Sequence, residues 1–198
     1  MDGLHELSGV LPLTNSVQPD RPYLDVMLSY GGCTGVAAAQ CTTGAGGVLE
    51  RESFSATSHV PYDLLNGAGA ARLVERCTLG QQLHGVRETS VSLDALGGAV
   101  RDLAGDATGF GHRDAYATVQ YTATFEDGAD PAPYDLFVRE SRAAMEPFWG
   151  TGAYVNYLDS AVADPGPAYF GNNAAKLAAV RAAADPAGRF ALPGFTPA

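Results

Sequence analysis

The sequence predicts an α+β fold, in which helices pack on one face of an antiparallel sheet of several strands. Three observations support this class. Short segments alternate apolar and polar residues as strands do, longer segments place apolar residues at the helical period, and neighbouring strand segments can pair as hairpins. The length of 198 residues suits one domain with a terminal extension.

The strand pattern is clearest in residues 114–125 (DAYATVQYTATF). Alternation divides this segment into two faces. One face carries Tyr116, Thr118, Gln120, Thr122 and Thr124, and the other carries Ala117, Val119, Tyr121, Ala123 and Phe125. Further strands are predicted at residues 23–30, 50–60, 86–94, 99–103 and 153–158.

Helical spacing of apolar residues predicts helices over residues 64–77 and 135–148, and a short helical turn at residues 36–40. Residues 165–186 are predicted to form a loop and then a helix that Pro186 ends. The expected organisation is an N-terminal arm (1–22), an α+β domain (23–153) and a C-terminal segment (154–198).

The chain is acidic, with a formal net charge of -10 and a sequence pI of about 4.6. Such a charge repels a phosphate backbone, which excludes nucleic acid as an expected partner. No run of about 18 apolar residues is long enough to cross a membrane, and the N-terminus has no basic start of a secretory signal. We therefore expect a soluble, cytoplasmic protein.

Three cysteines, Cys33, Cys41 and Cys77, occur without a CxxC motif. An odd number without that spacing implies neither a disulfide framework nor a zinc site, so the expectation is ordinary half-buried thiols and no metal. A bridge between Cys33 and Cys41, eight residues apart, stays open as an alternative.

The general catalytic motifs, such as a Walker loop, HExxH or GxSxG, do not occur in the sequence. Four local groups remain. The most informative is residues 154–159 (YVNYLD), because a phenol beside an amide or carboxylate can act as a general base when its pKa is lowered. Aromatic packing in the sheet is the alternative interpretation of Tyr154 and Tyr157.

The other three groups are less specific on their own. The first is Gly97-Gly98-Ala99, followed by residues 106–113 (DATGFGHR). His112 in that segment stands beside Arg113, and it either caps a turn or acts on a ligand. Residues 51–59 (RESFSATSH) place Ser55 and Thr57 on one side of a hydroxyl-rich strand. Residues 169–190 combine a polar helix start, a proline stop and a final aromatic residue, which is typical of a docking element.

Taken in order, these groups resemble the C-terminal half of the berberine-bridge-enzyme-like FAD-linked oxidases. The resemblance covers about residues 23–190. Its motifs are Gly97-Gly98-Ala99, residues 107–113, Gln120-Tyr121 with Phe125, Tyr154-Val-Asn156-Tyr157-Leu-Asp159, and Tyr169-Phe170-Gly171 followed by Asn173, Leu177, Val180, Asp185-Pro186 and Phe190.

The resemblance implies the substrate domain of the vanillyl-alcohol-oxidase-like flavoenzymes, whose sheet lies over the flavin ring. It implies that Tyr154 or Tyr157 takes a substrate proton while hydride passes to flavin N5. His112 is a further acid–base candidate for a reaction without flavin. Asn156 and Asn173 become candidate FAD or interface contacts. The candidate substrate-binding residues are Thr118, Gln120, Ser55 and Thr57.

The chain also departs from the family pattern. The family's flavin-binding domain, with its pyrophosphate-binding segment and its flavin-attachment His, has no counterpart here, so we expect FAD to be bound weakly by this chain alone. Cys33 lies beyond the position of the family's attachment cysteine. Thr57 stands where Lys is usual, Ala184 where Tyr is usual, and Pro193-Gly194 where a Gln-containing end is usual.

Three functions are consistent with these features. The first is the substrate-binding half of an FAD-linked oxidoreductase of secondary metabolism, such as antibiotic biosynthesis, acting with a separate flavin-binding part. The second is a flavin-independent natural-product cyclase or isomerase that uses the same sheet pocket. The third is a non-enzymatic interaction module that buries an apolar face in a homodimer.

Overall fold

The computed structural model describes residues 19–190, and the chain divides into two compact units, residues 1–51 and 52–198. In the first unit, α1 spans Tyr23–Tyr30, where the sequence analysis predicted a strand. The prediction was wrong because a segment of eight residues is short enough to fit both the strand period and the helical period. Pro22 before the helix and Asp25 in its first turn both favour a helix start. Residues 1–18 of the predicted arm lie outside the described residues, and so does Pro193-Gly194.

A disulfide joins Cys33 to Cys41, so the expectation of ordinary thiols was wrong for this pair. The chain turns sharply after α1, with the Cys33 N–H donating to the Leu28 carbonyl, and a short 3₁₀ helix at Ala38–Gln40 brings Cys41 back. The two Cα atoms lie 5.8 Å apart, within the range that a disulfide spans. Cys77 is a free, exposed thiol.

Three antiparallel strands form the sheet of the second unit, as the sequence predicted. They are β1 (Ser53–His59), β2 (Val86–Ala95) and β3 (Ala117–Phe125). Strand β3, the most clearly patterned segment, lies in the centre, with β1 and β2 on either side. Its alternating residues from Ala117 to Phe125 are buried, which confirms the face that the sequence assigned to the core.

Two helices cover one face of this sheet, as expected for the class. Helix α2 (Gly67–Gly80) is capped by Asn66, whose side chain accepts a hydrogen bond from the Gly69 N–H. Helix α3 (Ala132–Trp149) packs on β1 and β3. The core between helices and sheet consists of Val119, Tyr121, Ala123, Phe125, Tyr134, Val138, Met145 and Trp149. No helix within residues 19–190 is long and apolar enough to cross a membrane.

The other face of the sheet, here called the open face, is defined by strand register. Residues paired directly across antiparallel strands point to the same side. The rows that contain Ser58–Gln120–Ser92 and Ala56–Thr122–Ser90 therefore lie opposite the rows that hold the buried Tyr121 and Ala123. The open face consists of Phe54, Ala56, Ser58, Glu88, Ser90, Ser92, Asp94, Thr118, Gln120, Thr122 and Thr124.

The predicted strand at residues 99–103 is instead a 3₁₀ helix, Gly98–Val100, followed by a turn. Gly98 has a φ of 49°, in the left-handed region that glycine adopts without strain. The N–H groups of Val100 and Arg101 then donate to the carbonyls of Gly97 and Gly98. Local hydrogen bonds have replaced strand pairing in this segment.

The predicted strand at residues 153–158 is also wrong, because this segment forms a turn. The Tyr157 N–H donates to the Tyr154 carbonyl, and the Ala153 N–H donates to the Ala168 carbonyl. The chain continues through α4 (Pro165–Phe170), a 3₁₀ helix (Gly171–Asn173) and α5 (Ala174–Ala184), which ends before Pro186 as expected. Residues Ala153, Val162, Ala168 and Tyr169 form a second small core.

Candidate functional site

The open face is rich in hydroxyl groups, and its middle rows are half-buried. Ser90, Gln120 and Thr122 each have intermediate exposure. In the part of the chain that the structure describes, no hydrogen bond joins these three side chains to another protein group. They are therefore available to a ligand that covers the sheet.

Tyr154 and Tyr157, here called the phenol pair, lie at the β1 end of the open face. The Tyr154 N–H donates to the Ser58 Oγ at 2.9 Å, and Ser58 belongs to the same row as Gln120. The two rings meet edge to face, with centroids 5.1 Å apart and planes at 88°. The turn at residues 154–157 thus brings together two phenols that a straight strand would have separated.

The two phenols have different surroundings. The Tyr154 oxygen accepts a hydrogen bond from the Asn156 Nδ2 at 2.7 Å, which fixes the position of this hydroxyl. Burial raises the pKa of Tyr157, and the negative charge of Asp94 on the open face and the neighbouring Tyr154 raise it further. Tyr157 is therefore held in its protonated, hydrogen-bond-donating form.

His112 is buried and bonded on both ring nitrogens. Its Nε2 lies 2.9 Å from the Tyr169 carbonyl, which can only accept, so Nε2 carries the proton and Nδ1 accepts from the Tyr62 hydroxyl at 2.6 Å. Burial lowers the pKa of His112, and the hydrogen bonds to the Tyr169 and Ala153 backbone oppose this in part. Its contacts connect α4 to the loop after β1, which is a structural arrangement.

Asn173, predicted as a cofactor contact, is also buried. Its Nδ2 donates to the carbonyls of Gly105 at 2.7 Å and Thr108 at 3.1 Å. Both donor hydrogens are therefore used within the protein, to hold the loop that contains the DATGFGHR motif against the end of α4. Asn156, by contrast, is exposed and adjoins the phenol pair.

The four candidate substrate-binding residues lie on opposite sides of the sheet. Thr118 and Gln120 belong to the open face, although Thr118 is buried. Ser55 and Thr57 face the helices, where the Ser55 hydroxyl donates to Asp135 on α3. The Thr57 hydroxyl is buried without a hydrogen-bond partner among the described residues. Ser55 and Thr57 thus cannot contact a ligand that lies on the open face with Gln120.

The residues that position the phenol pair are not among those predicted from the sequence. Arg142 on α3 is buried and donates to the Ser58 carbonyl at 3.0 Å and the Thr151 carbonyl at 2.8 Å, and it pairs with Glu146. It thereby joins the end of β1 to the segment that leads into Tyr154. No local signal identifies this role, because the partners are up to 84 residues apart.

A second buried histidine lies on the helix-covered face. His59 Nδ1 is 2.9 Å from the Tyr121 hydroxyl, and its ring meets Trp149 edge to face. Burial, together with the nearby Arg142 cation, lowers the pKa of His59 to about 3. No group of three or more His, Cys, Asp or Glu side chains between residues 19 and 190 is placed to hold a metal ion.

Comparison with solved structures identifies the class of this fold. Physcomitrella patens BBE-like 1 has a TM-score of 0.77 and 18% identity, with 96% of this chain and 40% of that chain covered. The glycopeptide hexose oxidase DBV29, in a complex with teicoplanin, has a TM-score of 0.63 and 26% identity over 72% of this chain and 32% of that chain. A chitooligosaccharide oxidase has a TM-score of 0.65 and 24% identity, with coverages of 81% and 35%.

This chain therefore has the fold of one part of these oxidase and BBE-like structures. Residues 153–193 match the family described as berberine and berberine like, which confirms the predicted resemblance over this segment. The chain spans less than half the length of the solved structures that it matches. No curated protein matches the sequence.

Proposed function

We propose that this chain supplies the substrate-binding surface and the proton-accepting group of an FAD-linked oxidoreductase, and that a separate flavin-binding part completes the enzyme. The observation that carries the proposal is the position of the phenol pair beside the half-buried polar rows of the open face. A substrate on those rows would have its reacting hydroxyl next to Tyr154. The open face would then be covered by the flavin-binding part.

The residues of this chain fit the edge of a flavin ring only in part. Asn156 is exposed beside Tyr154 and can contact a ring placed over the open face. Asn173 is buried with both amide hydrogens used, so we do not assign it to FAD. FAD, when bound, would accept the hydride of the oxidised carbon.

Tyr154 is the better candidate for the proton acceptor. Its oxygen is held by the Asn156 amide beside the open face, whereas burial and the nearby Asp94 raise the pKa of Tyr157 and make it the poorer acceptor. In the proposed step Tyr154 reacts as the phenolate and takes the substrate O–H proton, while the hydride of the oxidised carbon would pass to FAD. Tyr157 then acts as a hydrogen-bond donor that orients the substrate, and His112 has a structural role.

The experiment combines this chain with the FAD-loaded flavin-binding domain of a matched oxidase, produced as a separate chain. We expect the melting temperature of this chain to rise when that domain is added, and Tyr154→Phe to retain the rise while abolishing substrate-driven flavin reduction. The proposal fails if the mixture shows no change in melting temperature, or if Tyr154→Phe reduces the flavin at the wild-type rate. Tyr154→Phe removes only the hydroxyl group and keeps the ring, so it tests the proton acceptor without changing the packing of the turn.

The two other functions predicted from the sequence stay predictions. Turnover of a natural product without flavin, lost in a Tyr154→Phe, Tyr157→Phe double variant, would support the cofactor-free cyclase or isomerase. A homodimer in sedimentation analysis at high concentration would support the interaction module.

A further inference from the structure

The aromatic ring of Phe110, in the loop that contains the DATGFGHR motif, reaches the phenol pair. It meets the Tyr154 ring at 87°, with the two centroids 6.2 Å apart, while Tyr157 meets the same ring at 88° and 5.1 Å. Such edge-to-face contacts are favourable between aromatic rings. Tyr154 therefore has two aromatic neighbours, one from its own turn and one from a distant loop.

Phe110 is held in place by neighbours of its own. Its ring meets the ring of the buried His112 at 73°, with the centroids 5.6 Å apart. The Arg113 guanidinium lies 5.1 Å from the Phe110 centroid, where a cation is attracted by the negative face of the ring. The Phe110 N–H also donates to the Thr108 Oγ1 at 3.3 Å. Phe110 thus offers Tyr154 a ring in a fixed position.

The loop that carries Phe110 is itself attached to the C-terminal segment. Asn173 donates to two carbonyls of this loop, and the His112 Nε2 donates to the Tyr169 carbonyl. The sequence had suggested both side chains as contacts to a cofactor or a substrate. In the structure both fix the loop, and Phe110 connects that loop to Tyr154.

We propose that Phe110 is a positioning residue for Tyr154, which it holds in the orientation that brings the phenol oxygen to the substrate. This role rests on the proposed function of Tyr154 as the proton acceptor. Exposed side chains change rotamer within nanoseconds, and Tyr154 is only half-buried, so its orientation depends on the contacts around the ring. Asn156 fixes the oxygen, and Phe110 restricts the ring. A displacement of about 1 Å at a reacting group can cost about 100-fold in rate.

The position of the Tyr154 ring can be measured on the 198-residue chain alone, by NMR with ring-labelled tyrosine and with the Tyr154 signals assigned from Tyr154→Phe. Phe110→Leu removes the aromatic ring and keeps an apolar side chain. We expect it to shift the Tyr154 ring signals toward those of an unstructured tyrosine. Phe110→Tyr keeps the ring and should leave them near the wild-type values. The control is Leu103→Ala, at an exposed position shortly before the loop.

The consequence for the reaction is measured as flavin reduction by chitotriose, in a mixture of this chain with the FAD-loaded flavin-binding domain of a chitooligosaccharide oxidase. Phe110→Leu should lower kcat about tenfold or more and change KM by less than about twofold, because it acts through Tyr154 and not on substrate binding. Phe110→Tyr should keep kcat within about twofold of the wild-type value. A purely structural role would lower the melting temperature without separating kcat from KM.

Shifted Tyr154 signals and a lower kcat in Phe110→Leu, both absent from Phe110→Tyr and Leu103→Ala, would support the positioning role. Unchanged Tyr154 signals, or a wild-type kcat in Phe110→Leu, would overturn it and leave Tyr154 as the proposed acceptor. Equal effects of Leu103→Ala would also overturn it, since the change would not be specific to the Phe110 ring. A wild-type mixture that reduces no flavin would instead count against the proposed function, and the ring signals would still decide whether Phe110 holds Tyr154.

Discussion

The backbone N–H of Tyr154 donates to the Ser58 Oγ at 2.9 Å, although the two residues are 96 positions apart in the sequence. Ser58 is fully buried on β1, so the hydrogen bond attaches the start of the turn that carries the phenol pair to the sheet. The Arg142 guanidinium bonds to the carbonyl of the same serine. The geometry of the candidate site therefore depends on this one position in β1.

Ser58→Ala should destabilise the chain by about 1–2 kcal/mol, because the Tyr154 N–H loses its acceptor in a partly buried position. Urea unfolding measures the change. Ser92→Ala is the matched control, since Ser92 lies in the same row but is exposed, and we expect it to change the free energy of unfolding by less than about 0.5 kcal/mol. Equal effects of the two variants would contradict the role of Ser58.

The stability of the chain should fall as the pH is lowered from 6.5 toward 3, in part because of His59. Its pKa is about 3 in the folded chain and 6.5 as the reference value, so the unfolded state binds more protons throughout this range. The contribution is complete above pH 6.5 and decreases by about 1.4 kcal/mol per pH unit below it.

Urea unfolding at several pH values tests this contribution. His59→Phe should reduce the slope of unfolding free energy against pH between about pH 6 and 4. His84→Gln, which replaces an exposed histidine, is the control. The carboxylates are the same in all three proteins, so an unchanged slope in His59→Phe would contradict the burial of His59 in its neutral form.

Gly111→Ala should disturb the junction between the DATGFGHR loop and the C-terminal segment. A Cβ at Gly111 would lie 2.4 Å from the Phe170 carbonyl oxygen and 3.2 Å from the Asn173 Nδ2, so the backbone must move. We expect a loss of about 1–3 kcal/mol, the usual cost of overpacking. In the matched control Gly109→Ala, the nearest atom is the Leu177 Cδ2 at 3.9 Å, an ordinary contact, and chemical unfolding should separate the two variants clearly.

Thiol titration in denaturant should detect one free thiol per chain before reduction and three after it. The structure joins Cys33 to Cys41 and leaves Cys77 free. A Cys77→Ser variant should then give none before reduction and two after it. Three reactive thiols in the unreduced wild-type chain would contradict the disulfide.

The sheet and its two covering helices could be predicted because their signals are local. Alternation along β3 and helical spacing in α3 are both properties of continuous segments. The segments at 23–30 and 153–158 were misassigned for different reasons. The first is short enough to fit either period, and the second has its Ala153 N–H bonded to the Ala168 carbonyl, a partner that alternation does not reveal.

The candidate site could be predicted only in part. The strand predicted for YVNYLD would place Tyr154 and Tyr157 on different faces, whereas the turn brings their rings together edge to face. His112 is buried against Tyr169, 57 positions along the chain, and Asn173 against Gly105, 68 positions away. The separation of Ser55 and Thr57 from Gln120 depends on strand register. Neither can be derived from spacing along one segment.

The most direct measurement of the central claim is an absorbance difference spectrum between about 350 and 500 nm, where bound flavin responds to the groups around its ring. The FAD-loaded flavin-binding domain of a matched oxidase is titrated with this chain. If the open face covers the flavin, the flavin bands shift in a saturable manner, and a bulky Gln120→Trp substitution on the open face weakens the response. Spectra that remain the sum of the two separate proteins at every concentration would contradict the account.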